Sequence, residues 1–419
     1  APDPGWARAD RILAVRLDAI GDVLMTTPAI RAIRESRPDA HLALLTSPAG
    51  AEIARLVPAL DETIVYEAPW LKPVPAGGVD PDADRRLIAD IADRRFDAAA
   101  IFTVHSQSAL PAALACHLAG IPLRLAHVRE NPYGLLTDWV PDPEADEPIR
   151  HEVRRQLDLV GHVGYRTLDE HLSVRVPPND ARMMRMLVER LGLRSVPADR
   201  WMVVHPGATA SSRRYPAERY AAALTTLVRD DGWRVVLTGT AAEADLAQAI
   251  RDAVNAAVVG AATSLAGRLT TAEFAALLAL APLLVANNTG PVHLAAAVGT
   301  PVVVVYAQTN LQHTPWAVTS RVVTNPVPCA GCRKSVCPLA HHACLRAIAP
   351  GEVVAAVRDL AAELAAGAVA AGRRMSPRAT EAPLLGNAGP IAQPPPVRGA
   401  RSVRPRGRQR PRWASPRAP

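Results

Sequence analysis

The sequence predicts an α/β protein with two doubly wound domains, each built on a parallel sheet. Apolar runs of strand length alternate with segments of helical spacing, which is typical of parallel sheets covered on both faces. The alternation stops near residues 178–199 and then starts again, and a chain of 419 residues is too long for one ordinary core. Polar turns also recur where the predicted strands end. These three observations favour two similar domains with a cleft between them.

The first half of the chain begins with a buried strand and the polar turn that holds Asp18 and Asp22. A helix over residues 23–36 follows this turn, with apolar side chains at helical spacing. A second polar turn, which includes His105, follows the last strand of this half. The predicted strands of this half are residues 11–17, 41–46, 63–66 and 97–104.

The second half repeats the pattern from residue 200 onward. Each strand again leads into a turn, here at His205, Gly239 and Thr289. Ligands of open α/β sheets bind at the carboxyl ends of the strands, so the recurring polar turns predict a ligand cleft. The predicted strand regions are residues 200–207, 234–239, 258–259, 283–287 and 302–306.

Residues 283–306 form the most informative stretch. Pro291 suits the first position of a helix, and Gly299 suits its end. Thr289 and Gly290 should therefore lie at a helix N-terminus, where free amide groups and the positive end of the dipole attract phosphate. An ordinary polar cap is the alternative interpretation of this turn.

Composition divides the chain into a globular part and a basic tail. The net charge is +7, and Arg and Pro dominate the last segment, which we expect to be disordered. The tail is either solvated without a partner or in contact with anionic lipid or nucleic acid, and the near-neutral remainder argues against nucleic acid as the specific ligand. The predicted parts are a first domain at 10–178, a linker at 179–199, a second domain at 200–349, a C-terminal helix at 350–372 and the tail at 373–419.

Several classes of protein do not fit the sequence. No apolar stretch has the length of a transmembrane helix, and the first residues lack a basic segment followed by an apolar run. We therefore expect a soluble, cytoplasmic protein, with peripheral contact to the inner face of the membrane as an option for the basic tail. Lysine occurs only at Lys72 and Lys334, which leaves few candidates for Schiff-base or P-loop chemistry.

Three motifs resemble the signatures of glycosyltransferase family 9, the ADP-heptose:lipopolysaccharide heptosyltransferases. They are residues 15–29 (VRLDAIGDVLMTTPA), residues 205–208 (HPGA) with 213–216 (RRYP), and residues 288–296 (NTGPVHLAA). The resemblance runs from about residue 11 to residue 360. It implies a GT-B architecture of two Rossmann-like domains, with the acceptor in the N-terminal domain and a nucleotide-sugar in the C-terminal one. It also implies an inverting reaction that needs no metal and no other cofactor.

The resemblance assigns the general base to Asp22. An inverting transfer needs a base on the acceptor hydroxyl, and a carboxylate at a cleft-facing turn can supply it. The alternative role is a first-turn acid that stabilises the helix N-terminus, and Asp18 is the second candidate for the base. Arg16 and His105 are further residues at the cleft edge.

The resemblance also implies a donor-binding set in the second domain. Arg213 stands where the family often has lysine and would contact the diphosphate. Glu243 suits the ribose hydroxyls, although it could equally be a solvated acid of a first helical turn. Many family members have Asp where this chain has Asn288, which leaves the identity of the donor open. The implied substrate-binding residues are Thr209, Arg213, Glu243, Asn288, Thr289, Gly290 and His293, where Thr209 could instead cap a turn and His293 could be a buried histidine bonded to backbone.

Four cysteines cluster near the end of the second domain. The spacing Cys-x2-Cys-x4-Cys-x6-Cys is compatible with zinc or an iron–sulfur site, and His341 and His342 add candidate ligands. Structural thiols and redox pairing are the other interpretations, and the family chemistry needs no metal. The four residues are Cys329, Cys332, Cys337 and Cys344, whereas Cys116 is expected in the core.

The sequence therefore predicts an inverting, metal-independent glycosyltransferase. Its substrates would be a nucleotide-sugar, with ADP-heptose as the expected donor, and a saccharide or lipid-linked acceptor. The alternatives are the same fold acting on another nucleotide-sugar and a non-catalytic nucleotide-sugar-binding protein.

Overall fold

Strands of the two halves form separate sheets, and every strand pair is parallel. The computed structural model describes residues 3–71, 80–142, 150–195 and 200–375, with side chains up to residue 367. Within these residues each sheet has six strands. The strands are short apolar runs such as Val302–Val305, which is buried on both faces as parallel sheets require.

The first sheet has the strand order β3-β2-β1-β4-β5-β6. Its central strand β1 pairs with β2 on one side and with β4 on the other. The chain therefore reverses its winding direction at β1, and this switch point is where doubly wound sheets bind ligands. The strands are β1 Arg11–Arg16, β2 His41–Thr46, β3 Glu62–Val65, β4 Ala98–Ile101, β5 Leu123–Val128 and β6 Asp138–Pro141.

The second sheet repeats this topology with the order β12-β11-β10-β7-β8-β9. Here β7 pairs with both β8 and β10, so the switch point lies between β7 and β10. The strands are β7 Trp201–His205, β8 Arg234–Leu237, β9 Ala262–Ser264, β10 Leu284–Asn287, β11 Val302–Val305 and β12 Ser320–Val323.

Helices cover both sheets, and two of them begin at the switch points. The helix α1 starts just after β1, and α10 starts just after β10. The helices are α1 Ile20–Ser36, α2 Pro48–Ala54, α3 Pro81–Asp93, α4 Leu110–Leu118, α5 Glu152–His162, α6 Pro178–Arg190, α7 Ala217–Asp231, α8 Ala244–Ala257, α9 Thr271–Leu280, α10 Gly290–Ala297, α11 Ala343–Arg346 and α12 Pro350–Met375.

The two halves share a hydrophobic core. One apolar cluster contains side chains of both sheets, for example Ile12 and Ala14 of the first sheet together with Leu284 and Val304 of the second. The helix α1 packs against α10, and α6 packs against α9. These contacts hold the carboxyl edges of the two sheets opposite each other.

The predicted fold class is confirmed, including two doubly wound sheets and the strand–helix–strand unit around Gly299, whose φ is +80°. The strand expected at residues 258–259 is wrong, because α8 continues to Ala257 and the strand forms at Ala262–Ser264. The side chain of Val259 is 91% exposed, so its apolar character does not reflect burial. The domain boundaries stay predictions, and most of the predicted tail, residues 376–419, lies outside the described residues.

Candidate functional site

A buried arginine organises the carboxyl edge of the first sheet. The Arg16 side chain is fully buried, and three carboxylates surround its guanidinium. Its Nε lies 2.9 Å from Oδ2 of Asp18, its Nη2 lies 3.3 Å from Oδ1 of Asp22, and its Nη1 lies 3.1 Å from Oε1 of Glu152. One guanidinium thus compensates more than one buried carboxylate.

The two aspartates of this cluster are held differently. Asp18 also accepts a hydrogen bond of 2.6 Å from Nε2 of Gln107, and its side chain is only 10% exposed. Asp22 has the longer contact to Arg16 and is 19% exposed, so its carboxylate is the more accessible of the two. This geometry favours Asp22 as the group that can meet a substrate hydroxyl.

The three carboxylates of the cluster differ in pKa. Burial raises the pKa of Asp18 from 3.8 to about 6, and it also raises the pKa of Asp22, while Arg16 opposes both shifts. Burial alone would raise the pKa of Glu152, but Arg16 and Arg155 lower it overall. Glu152 therefore stays ionised, and the aspartates are stronger bases than ordinary carboxylates.

The carboxyl edge of the second sheet brings a helix N-terminus to the same place. A Cβ atom on Gly21 of α1 would lie 3.0 Å from Cδ2 of His293 and 3.5 Å from Cα of Gly290. The N-termini of α1 and α10 are thus in contact, with Thr289 as the N-cap of α10. In the first turn of α10 this leaves the amide of Gly290, because Pro291 has no N–H and the amide of Val292 donates to the carbonyl of Thr289. The positive ends of both helix dipoles favour an anion.

Arg213 belongs to the second half and lies near this contact. Its positive charge is among the smaller influences that act on the pKa of Asp22 and of His293, and it favours a lower pKa for both. Its Nε is buried and has no hydrogen-bond partner among the described residues, and the same is true of Nδ1 of His293. Burial, followed by the influence of His313, lowers the pKa of His293 well below 6.5. His293 is therefore neutral, and among the described residues its Nδ1 has no backbone partner of the kind that the alternative interpretation expected.

A cavity of about 310 Å³ opens beside this point and is lined by both halves. Thr209, Glu243, Thr289 and Gly290 of the predicted donor set line it. Apolar side chains, among them Leu265, Leu269 and Phe274, also line it. An apolar lining with a few polar groups is typical of a small-molecule site.

Glu243 caps a helical turn and also lines the cavity. Its Oε2 accepts a 2.8 Å hydrogen bond from the amide of Thr240, as in a capping box. The carboxylate also fills the space beside Gly207, where a Cβ atom would lie 2.0 Å from its Oε1. Glu243 is only 15% exposed and lines the cavity, so it is not a solvated surface acid.

The side-chain amide of Asn288 forms hydrogen bonds with the backbone. The amide oxygen accepts from the N–H of Ala307 at 3.1 Å, and its NH₂ group donates to the carbonyl of Ala307 at 3.3 Å. An aspartate could accept from that N–H but could not donate to that carbonyl. The amide therefore fits the position for a structural reason, and its contact with a donor sugar stays a prediction.

His105 lies at the edge of the first sheet, as expected. Its Nδ1 is 3.1 Å from Oδ2 of Asp142, which also pairs with Arg155 at 2.8 Å. The side chain of His105 is 15% exposed, so the Asp142 contact orients a ring that substrate can still reach. This places one further polar group at the carboxyl edge of the first sheet.

The four clustered cysteines line one small pocket together with His341 and His342. All four are free thiols, and within the described residues no group of three or more His, Cys, Asp or Glu side chains is placed to hold a metal ion. The loop instead packs against the turn before Arg213, because Ser212 donates from its hydroxyl to the carbonyl of Lys334 at 2.7 Å. This contact anchors the cysteine-bearing loop, and the three interpretations of its thiols stay predictions. Cys116 is buried in the core, as expected.

Sequence reasoning missed two residues of the site, Glu152 and His313. Glu152 follows a Pro-rich segment and begins α5, and His313 lies in a loop, so neither belongs to a recognisable motif. Only the packing of α5 against α1 and the path of the loop after β11 bring these side chains to Arg16.

Similarity to known proteins covers most of the chain. Residues 85–343, more than half of the chain, match the model of glycosyltransferase family 9 (heptosyltransferase). Lipopolysaccharide heptosyltransferase 2 of Escherichia coli (strain K12) is 26% identical over 314 residues, which are 73% of this chain and 85% of that protein. The structure of E. coli ADP-heptose LPS heptosyltransferase II has a TM-score of 0.65 at 24% identity and covers 84% of this chain and 99% of that one. A glycosyltransferase family 9 structure from Veillonella parvula has a TM-score of 0.68 at 18% identity, with coverages of 84% and 98%.

Two Rossmann-like sheets that face each other across a ligand cavity define the GT-B class of fold. The family match then gives the narrower assignment: the chain belongs to glycosyltransferase family 9, and it is a glycosyltransferase. Among the described residues, no helix is both long enough and apolar enough to span a membrane.

Proposed function

We propose that the protein transfers heptose from ADP-heptose to a saccharide or lipid-linked acceptor, with inversion at the anomeric carbon and without a metal. The observation that carries this proposal is the contact of the α1 and α10 N-termini at Gly21 and Gly290, one residue from Asp22, with Arg213 near enough to lower the pKa of that carboxyl. A base and a cation near one another match the two ends of a glycosyl transfer. The names of the similar heptosyltransferases support heptose and lipopolysaccharide as the substrate class.

The carboxylate of Asp22 would take the proton of the acceptor hydroxyl. The hydroxyl oxygen then forms a bond to the anomeric carbon from the face opposite to the diphosphate. The bond between that carbon and the diphosphate oxygen breaks, and ADP leaves with the electron pair. Attack from the opposite face inverts the configuration, and the raised pKa of Asp22 suits it to hold this proton.

The leaving diphosphate needs positive charge and hydrogen-bond donors. Arg213 supplies a guanidinium with an unpaired, buried Nε, and α1 and α10 supply two helix N-termini. These groups supply positive charge without a metal ion, so we expect the transfer rate to be unchanged in the presence of EDTA. Loss of activity in EDTA that added metal restores would contradict this part.

The nucleoside of the donor would occupy the 310 Å³ cavity, with Glu243 on the ribose hydroxyls and the apolar wall around the base. The acceptor would lie at the edge of the first sheet, near His105. We further propose a cytoplasmic location, with the acceptor at the inner face of the membrane. A different nucleotide-sugar is the second candidate for the donor, because Asn288 stands where many family members have aspartate.

Thermal stabilisation by a panel of nucleotides tests the donor assignment. A ligand at a hundred times its Kd stabilises a protein by about 2.7 kcal/mol, which is a measurable rise in Tm. We expect ADP and ADP-heptose to raise Tm, and uridine, guanosine and thymidine diphosphates to have smaller effects. Preference for one of the latter would contradict ADP-heptose but not glycosyl transfer. If no nucleotide binds, the whole proposal fails.

A further inference from the structure

The loop after β11 crosses from the second half of the molecule to the first. We call residues 306–316 the crossing loop. Its Gln312 carbonyl accepts a 3.0 Å hydrogen bond from the amide of Glu152, at the start of α5. Its Thr314 carbonyl lies 2.9 Å from Nε2 of His151. Backbone contacts on both sides of position 313 therefore fix the crossing loop against the first half.

The inner side of the crossing loop is polar and buried. Thr309 is 2% exposed and His313 is 8% exposed. Among the described residues, Oγ1 of Thr309 and Nε2 of His313 have no hydrogen-bond partner, and the same holds for Nε of Arg213 and Nδ1 of His293. A buried polar atom without a partner costs free energy, so a cluster of them indicates a site that a ligand completes.

His313 lies between the charges of the two halves. The charged groups that affect it are Glu152, Arg16 and Asp18 from the first half and Arg213 from the second. Its ring centroid is 6.5 Å from that of His293. Burial is the largest influence and lowers the pKa of His313 to about 4, so the imidazole is neutral near pH 7.

The crossing loop also holds Arg213. In the amide orientation that satisfies both of its groups, the oxygen of Asn310 accepts from Nη2 of Arg213 at 2.9 Å. The free Nε of Arg213 can only donate, and a neutral imidazole with its proton on Nε2 also donates. Two buried donors call for a ligand rich in acceptor oxygens, and a diphosphate is such a ligand.

We propose that His313 is a further catalytic residue, whose neutral imidazole donates an Nε2–H hydrogen bond to the diphosphate of the donor beside Arg213. The inference rests on the proposed function, because it requires a nucleoside diphosphate as the leaving group. A neutral donor adds a hydrogen bond without repelling the guanidinium, and the buried site strengthens it as negative charge develops.

The test compares His313→Ala and His313→Gln with the unaltered enzyme. Removing one hydrogen bond to a charged group should lower kcat and the affinity for ADP by about 10- to 100-fold. The Gln variant should recover part of both losses, because its carboxamide nitrogen can donate from a similar position. The affinity for adenosine, which has no phosphate, should not change. His171→Ala is the matched control, because His171 is 69% exposed and pairs with Asp169 on the surface.

Activity assays, calorimetry with ADP and adenosine, and Tm measurements separate the outcomes. The inference is overturned if His313→Ala keeps its kcat and ADP affinity, or if it loses adenosine and ADP binding equally. It is also overturned if the Gln variant recovers nothing and both variants lose Tm, because that result indicates a structural role. Failure of the unaltered enzyme to bind ADP or transfer sugar would instead refute the proposed function.

Discussion

The carboxyl edges of the two sheets have the same topology but opposite chemistry. The edge of the first sheet concentrates negative charge, with Asp18, Asp22 and Glu152 around the single guanidinium of Arg16. The edge of the second sheet offers donors, namely the N-terminus of α10 and the Nε of Arg213, which has no partner in the part of the chain that the structure describes. Both edges occur at the point where a doubly wound sheet changes direction.

This difference teaches how one repeated fold can divide a reaction into two parts. Buried carboxylates with raised pKa values suit proton removal, whereas fixed donors suit a leaving group that becomes negative. Because the two edges meet at Gly21 and Gly290, the base and the donors act on opposite sides of one reacting carbon in the proposed reaction. Substitutions at the first edge should change kcat or its pH dependence, whereas substitutions at the second edge should change the affinity for ADP.

The largest expected effect is that of Asp22→Asn. Removing a general base should lower kcat by about 10²- to 10⁴-fold, because an amide cannot take the proton of the acceptor. Binding of ADP, measured by calorimetry, should persist because the donor groups belong to the other edge. Asp18→Asn is the comparison: a larger loss of kcat in that variant than in Asp22→Asn would transfer the role of base to Asp18.

Arg213→Ala should have the next largest effect, and it should change the affinity for ADP. Loss of a charge-assisted contact should weaken ADP binding by about 10- to 100-fold, as measured by calorimetry. Arg213→Lys should restore part of the affinity, since the charge returns without the fork geometry. Arg229→Ala, which alters a side chain that is 63% exposed, should bind ADP normally. Equal ADP affinity in Arg213→Ala and the unaltered protein would remove Arg213 from the donor site.

The pH dependence of kcat/KM should reflect the ionisation of the carboxylates at the edge of the first sheet. The base works only when ionised, and burial raises the pKa of Asp22, so kcat/KM should fall on the acid side with a midpoint above the ordinary value of 3.8. Asp18→Asn removes a neighbouring negative charge, which makes ionisation of Asp22 easier and should move the midpoint to lower pH. Because the aspartates interact, the midpoint belongs to the pair. An unchanged or higher midpoint in Asp18→Asn would argue against this coupling.

The smallest expected effect compares two glutamates with the same local geometry. Glu243 and Glu273 each accept a 2.8 Å hydrogen bond from the amide of a threonine N-cap, but Glu243 also lines the cavity. Both Gln variants should lose little stability, at most about 1 kcal/mol. Only Glu243→Gln should weaken ADP binding, by a few-fold. If Glu273→Gln weakens it equally, the contribution of Glu243 is capping alone.

The sequence by itself determined the fold class and the two ligand-facing turns. Hydrophobic periodicity and helix-terminating residues are local features of the sequence. Pro291 and Gly299 therefore predicted the ends of α10 with only small error. Apolar runs predicted the central strands for the same reason. Local patterns failed at the sheet margins, where the strand at 258–259 was wrong and β5, β6 and β12 were not predicted. β6 and β12 are four-residue edge strands that are only partly buried, and β5 carries the polar residues Arg124 and His127 within its buried run.

Only the tertiary structure decided which side chains act together. Asp22 and Arg213 were predicted from motifs, but only the packing of the two halves, with α1 against α10, brings the charge of Arg213 near enough to influence the pKa of Asp22. Glu152 and His313 belong to no motif and reach Arg16 because α5 and the crossing loop converge there. A sequence specifies periodicity over a few residues, whereas burial and charge contacts depend on segments more than a hundred residues apart. For that reason the reacting groups were predictable one by one, and their arrangement was not.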